Sequence, residues 1–269
     1  MNGIKLIKRP VFLSCFFAIS LNIYSQSIYT YDLKKDIIIS TLSIGVVGGS
    51  YFTPGTTNSI PNELNRNKVN IFDRRFMFSE DETLHYIRDI VRNALPVLTI
   101  ITPLSVWGSG SWKFEKKDFD TWLTYGIMYT QALALTIGTV EILKKTINRY
   151  RPRSYFNNSV GVLTSNDCFP SDTTTFSFLA ATLLSVTFSA EYPVSSWRIP
   201  VIAGSYTLAT SIGIIGVISG MHFLTDVLAA AAIGSFYGWL IPMLHRRLDI
   251  DNKVSFHFTG NGGLVSFKF

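Results

Sequence analysis

Long apolar blocks separated by short polar connections dominate this chain, and that pattern sets its class before any motif is read. Five strongly apolar stretches cover roughly 91–107, 119–143, 174–190, 199–218 and 224–244, and a shorter glycine-rich one covers 37–53. About 20 helical residues span the hydrocarbon core of a bilayer. The later blocks therefore suit transmembrane helices, and the 37–53 block is borderline. The expected fold is all-α: a polytopic membrane bundle of five or six transmembrane helices. The tail alternates Val254, Phe256 and Phe258, then Leu264, Ser266, Phe267 and Phe269, around Gly260-Asn261-Gly262-Gly263. That pattern predicts a β-hairpin.

Composition agrees with a membrane chain. Of 269 residues, 47% are hydrophobic and only 16% charged, so a soluble domain is excluded as the expected class. Residues 1–26 read as a secretory signal or signal anchor: Lys5, Lys8 and Arg9 precede the apolar run from Val11 to Ile19. Residues 27–90 form a periplasmic or interfacial region, with Phe72, Phe76, Met77 and Phe78 available to lipid. The membrane domain proper is 91–248, and 249–269 is the tail. If the signal is removed, Cys168 remains as the only cysteine and no intrachain disulfide forms. The net charge of +6 gathers near helix ends, which suits membrane flanks or phosphate ligands better than nucleic acid.

Charge bias predicts orientation. Lys113, Lys116 and Lys117, then Arg198, then Arg246 and Arg247 fall on one side of the membrane if every strong block spans. The positive-inside bias makes that side cytoplasmic and places 144–173 and 219–223 at the periplasmic face of an inner membrane. This assignment requires the 37–53 block not to cross, unless the N-terminus starts in the cytoplasm and residues 1–26 do not cross. Arg149, Arg151 and Arg153 argue the other way.

Three segments carry candidate chemistry. Lys144 and Arg151 are seven apart, two helical turns, so both cations are expected on one helix face about 10 Å apart. Pro152 should stop that helix. A point charge beside a planar fork suits a phosphoryl group, although basic flanking of a membrane helix explains the same residues. His222 and Asp226, four apart, are expected to stack at the start of a helix, the carboxylate fixing the imidazole tautomer. Ionisable groups at membrane depth are costly, which favours function. Ser171 precedes the 174–190 helix, where hydroxyl and first backbone amides form an anion site or a simple cap.

Together these segments resemble the type 2 phosphatidic acid phosphatase (PAP2) family over roughly 91–245. Lys144, Arg151 and Pro152 match that family's Lys, six residues, Arg-Pro. Pro170 and Ser171 match half of its Pro-Ser-Gly-His, while His222 and Asp226 match the end of Ser-Arg, five residues, His, three residues, Asp. The resemblance implies a PAP2-like membrane enzyme without metal or other cofactor that removes phosphate from a phosphorylated membrane lipid. It implies His222 as nucleophile, Asp226 as its orienting partner, and Lys144, Arg151 and Ser171 as phosphate ligands.

Two elements depart from the pattern. Asp172-Thr173 stands in place of Gly-His, and Ile215-Gly216 in place of Ser-Arg. Three readings follow. In the first, hydrolysis survives on a substrate whose leaving group needs little protonation, a prenyl diphosphate being favoured. Asp172 then serves as acid, and Arg149 or Arg153 replaces the missing arginine. In the second, the pocket binds a phosphorylated lipid without hydrolysing it. In the third, the bundle is a scaffold. Neither the lipid nor the oligomeric state is legible.

Overall fold

The structure is a computed structural model that describes residues 28–55, 64–84, 86–87, 89–90, 116–156, 166–247, 254–259 and 262–267. The expected signal at 1–26 and the apolar stretch at 91–107 lie outside the described residues. The elements are α1 (Leu33–Phe52), α2 (Ile71–Arg74), α3 (Lys116–Ile147), α4 (Asp172–Glu191), α5 (Arg198–Ile218) and α6 (Leu224–His245), then β1 (Val254–Thr259) and β2 (Gly262–Phe267). The two strands pair antiparallel with Val254 opposite Phe267, so the tail forms the expected hairpin. Among the described residues four helices, α3 to α6, are long and apolar enough to cross a membrane.

Small residues decide how closely these helices approach. A Cβ on Gly234 of α6 would lie 2.2 Å from the Thr175 carbonyl oxygen of α4, and one on Gly238 would lie 2.7 Å from Thr182 Cβ. Backbone therefore meets backbone, the usual means of helix association where lipid offers no hydrophobic gradient. Hydroxyl pairs fasten the interior: Tyr129 with Thr187, Thr139 with Tyr237, and Thr182 with Tyr206. Leu208 and Ile214 of α5 and Leu228, Phe236 and Trp239 of α6 face outward, as lipid-facing positions should. Gly234→Val is expected to lower detergent stability by about 3 kcal/mol or more, since overpacking falls on backbone that cannot yield. A thermal melt of the purified variant unchanged from wild type would refute this packing.

The glycine-rich block becomes α1, and its register against α3 is informative. Asp36 meets Gln131, Val46 meets Gly138, and the Ser50 carbonyl accepts from Lys145 Nζ. Both sequences ascend together, so α1 lies parallel to α3 along most of its length. The lower end is tied by a buried polar group in which His245 Nε2 meets Asp36 Oδ1 at 2.6 Å. The Arg247 amide donates to the Ile28 carbonyl close by.

Candidate active site

The opposite end of the bundle gathers the three motifs. Helix α3 was expected to run through Arg151, but it ends at Ile147. Asn148 takes a left-handed conformation (φ 52°) and donates its amide to the Lys144 carbonyl. Asparagine tolerates that conformation and closes helices there. Arg149 and Tyr150 follow without regular structure, Arg151 is extended, and Pro152 opens a single 3-10 turn, Pro152–Tyr155. Lys144 and Arg151 thus approach the site from a helix end and from a loop, not from two turns of one helix.

Both are buried beside acidic residues. Lys144 Nζ lies 3.2 Å from Asp172 Oδ2, and Asp172 Oδ1 accepts the Thr173 amide. Arg151 donates through Nε and Nη2 to Asp167 Oδ1, at 3.0 and 2.8 Å, while Nη1 lies 3.5 Å from the Met221 carbonyl. Burial alone would raise the Asp167 carboxyl, but the Arg151 and Lys144 charges together with the hydrogen bonds from Arg151 hold the group below its ordinary range. Ser171 caps α4, accepting the Thr174 amide and pairing with the Thr174 hydroxyl at 2.9 Å. Its own amide reaches the Asp226 carbonyl, which brings the second and third motifs into contact.

His222 precedes α6 and is fully buried. The expected stacking of His222 and Asp226 on one helix face does not occur, because α6 begins only at Leu224. Nδ1 instead lies 2.8 Å from the Cys168 carbonyl, which can only accept. The proton is therefore on Nδ1, and Nε2 carries the lone pair. Asp226, at the third helical position, turns back so that Oδ2 accepts the Phe223 amide and the Cys168 thiol, both at 2.8 Å. Its Oδ1 accepts from Arg149 Nη1 at 2.5 Å. Burial, then the Asp226 charge, pushes the Cys168 thiol well up, so it stays protonated and donates.

Sequence reasoning missed Cys168 and Asp73 as parts of this assembly. Arg149 was weighed only as a substitute phosphate ligand. Its guanidinium is held between Asp226 and Asp73, 4.1 Å over the Phe223 ring. Little in the local sequence signals these roles, since Cys168 meets His222 and Asp226, and Asp73 meets Arg149 and Thr225, across more than fifty positions. Ligand atoms of Cys168, His222 and Asp226 lie within 4.8 Å of one another, a spacing that could hold a metal ion. Arg149 also engages Asp226, and the same three residues are joined by hydrogen bonds from the Cys168 thiol to Asp226 and from His222 Nδ1 to the Cys168 carbonyl.

Comparison with known proteins gives the same reading. Residues 125–249 match the profile described as the PAP2 superfamily. The chain is also similar to a lipid A 1-phosphatase of Porphyromonas gingivalis, 28% identical over 177 residues. That match covers 64% of this chain but 35% of the relative, so the chain spans about a third of the relative's length. No solved structure matches. With three motifs in order on one end of a membrane bundle, residues 125–249 of this chain are similar to the PAP2 superfamily.

Proposed function

We propose that this protein hydrolyses a lipid phosphate by way of a phosphohistidine on His222, with a prenyl diphosphate as the favoured substrate. The observation that carries the reading is the Nδ1–Cys168 hydrogen bond, which presents Nε2 as a nucleophile. Nε2 attacks the terminal phosphorus, the bond to the bridging oxygen breaks, and the electron pair leaves with the lipid phosphate. Water then cleaves the N–P bond, releasing phosphate and restoring the imidazole. Lys144 and Arg151 supply charge to the phosphoryl oxygens, and Ser171 with the first amides of α4 supplies donors. Asp226 holds the loop that carries His222.

The leaving group decides the substrate class. Where the family pattern has histidine, this chain has Thr173, so a simple alkoxide would depart poorly. A departing phosphate has a second pKa near ~6 and needs little help. Asp172 pairs with Lys144. In this reading a phosphate arriving at Lys144 breaks that pair, and Asp172 serves as the acid. A second substrate, the anomeric 1-phosphate of lipid A, follows from the relative's name, because a glycosyl oxygen also leaves more readily than an ordinary alkoxide. A phosphate-release panel over undecaprenyl diphosphate, a lipid A 1-phosphate and phosphatidate tests the proposal. Release is expected from the first two and little from the third. Binding of orthovanadate without release from any lipid would support the non-hydrolytic reading, which the Lys144–Asp172 ion pair favours.

We also propose that α1 crosses the bilayer alongside α3 and in the same direction, with the active site facing the periplasm of an inner membrane. The parallel register supports this, as does the position of Lys34, Lys35, Arg198, Arg246 and Arg247 at the end remote from the site. Of the two arrangements that the charge bias leaves open, it takes the one in which 37–53 spans. A cysteine replacing the exposed Lys34, with Cys15 changed to serine, should react with an impermeant maleimide only after permeabilisation. Labelling in intact spheroplasts would reverse the orientation.

A further inference from the structure

We propose that Asp73, which lies outside the matched region, is a positioning residue for His222 and acts through Arg149. This inference rests on the phosphatase reading above. Asp73 is fully buried, and an unpaired carboxylate there would be strongly disfavoured. Its partners account for its presence. Oδ1 accepts the Thr225 amide at 3.0 Å, and Oδ2 accepts the Thr225 hydroxyl, Asn70 Nδ2 and Arg149 Nη2, each at 2.6 Å. Burial pushes its carboxyl up, but the bonds from Thr225 and Arg149 prevail and hold it below the ordinary range.

Placement gives these bonds a consequence. Thr225 is the second residue of α6, so Asp73 caps that helix from outside while Asp226, the next residue, holds the Phe223 amide. Arg149 joins the two carboxylates, and its Nη1 also meets the Thr225 hydroxyl at 2.8 Å. Two anions thereby fix one guanidinium against Asp226. The rest of the segment is clamped over the same loop. Gly220 (φ 69°) lies so close beneath it that a Cβ would sit 2.7 Å from the Phe78 and Ser79 carbonyl oxygens. Arg66 anchors the segment to the Tyr155 carbonyl and stacks on Phe156. Without the Asp73 charge, Arg149 loses one of its two holders. The incoming phosphate then competes with Asp226 for it, and the His222 loop loosens during the chemical step.

The test uses the full chain in detergent with undecaprenyl diphosphate. Asp73→Asn is expected to lower kcat by about 10–100-fold, the usual range for an outer-shell partner, with KM within about threefold of wild type. Asp73→Glu, which keeps the charge, is expected to restore most of that loss. In combination with Arg149→Lys, Asp73→Asn should cost nothing further, because the two act as one unit. A wild-type kcat for Asp73→Asn, a Glu variant as slow as the Asn one, or additive losses would each overturn the proposal. If Asp73→Asn does not purify, Asn70→Ala removes one donor to the same carboxylate and should lower kcat several-fold at unchanged KM. An unaltered kcat there overturns it. A wild-type chain that releases no phosphate defeats the phosphatase reading instead. In that case long-range 1H–15N spectra decide: the His222 Nδ1–H signal should persist in wild type and be lost to exchange in Asp73→Asn. Retention in the variant counts against the proposal.

Discussion

His222→Ala should reduce phosphate release from the preferred lipid by at least about 10³-fold, with substrate binding largely retained. The expectation follows from the division of labour in the site. In the proposed roles Lys144 and Arg151 supply charge, and the Ser171 hydroxyl is already engaged with Thr174 at the cap of α4. The imidazole alone carries a lone pair whose direction is set, because Nδ1 is spent on the Cys168 carbonyl. His222→Asn keeps a polar side chain of similar reach and should be as inactive as the alanine form. Retained activity in either variant would mean that water attacks directly. The Nδ1 bond would then be a packing detail.

The opposite manipulation should create activity. Asp172→Gly combined with Thr173→His restores the family's second motif, and release from simple phosphomonoesters should rise by about 10²-fold or more. Two effects combine. Removing Asp172 releases Lys144 from its 3.2 Å ion pair, and the introduced imidazole provides an acid for an alkoxide leaving group. Thr173 is buried at the second position of α4, beside the cap at Ser171, so its side chain lies at the site end of that helix. Diphosphate hydrolysis should change much less, since its leaving group needs little protonation. A rise on both substrates alike would show that Asp172 merely obstructs binding. No rise on either would show that the pocket lacks more than an acid.

The sequence revealed what depends on local pattern. Apolar block length located α3 to α6, and alternation around Gly260-Asn261-Gly262-Gly263 located the hairpin. Motif order found the segments that converge, because spacing along the chain survives folding. What it missed depends on backbone detail or on distant partners. The seven-residue interval from Lys144 to Arg151 reads as two helical turns, yet Asn148 breaks the helix between them. The four-residue interval from His222 to Asp226 reads as one helix face, yet the helix starts after the histidine and Asp226 caps it. The clamp of Asp73, Arg149 and Asp226 joins three separate segments. A buried aspartate in a region otherwise rich in exposed polar residues gives no warning in one sequence.

The most direct measurement of the central claim is a rapid quench with substrate labelled at its terminal phosphate, followed by alkaline work-up and peptide mass spectrometry. The account predicts an acid-labile phosphoryl group on the peptide containing His222, formed before bulk phosphate appears and absent from His222→Ala. Phosphate release at the normal rate with no label on that peptide at any time would contradict it.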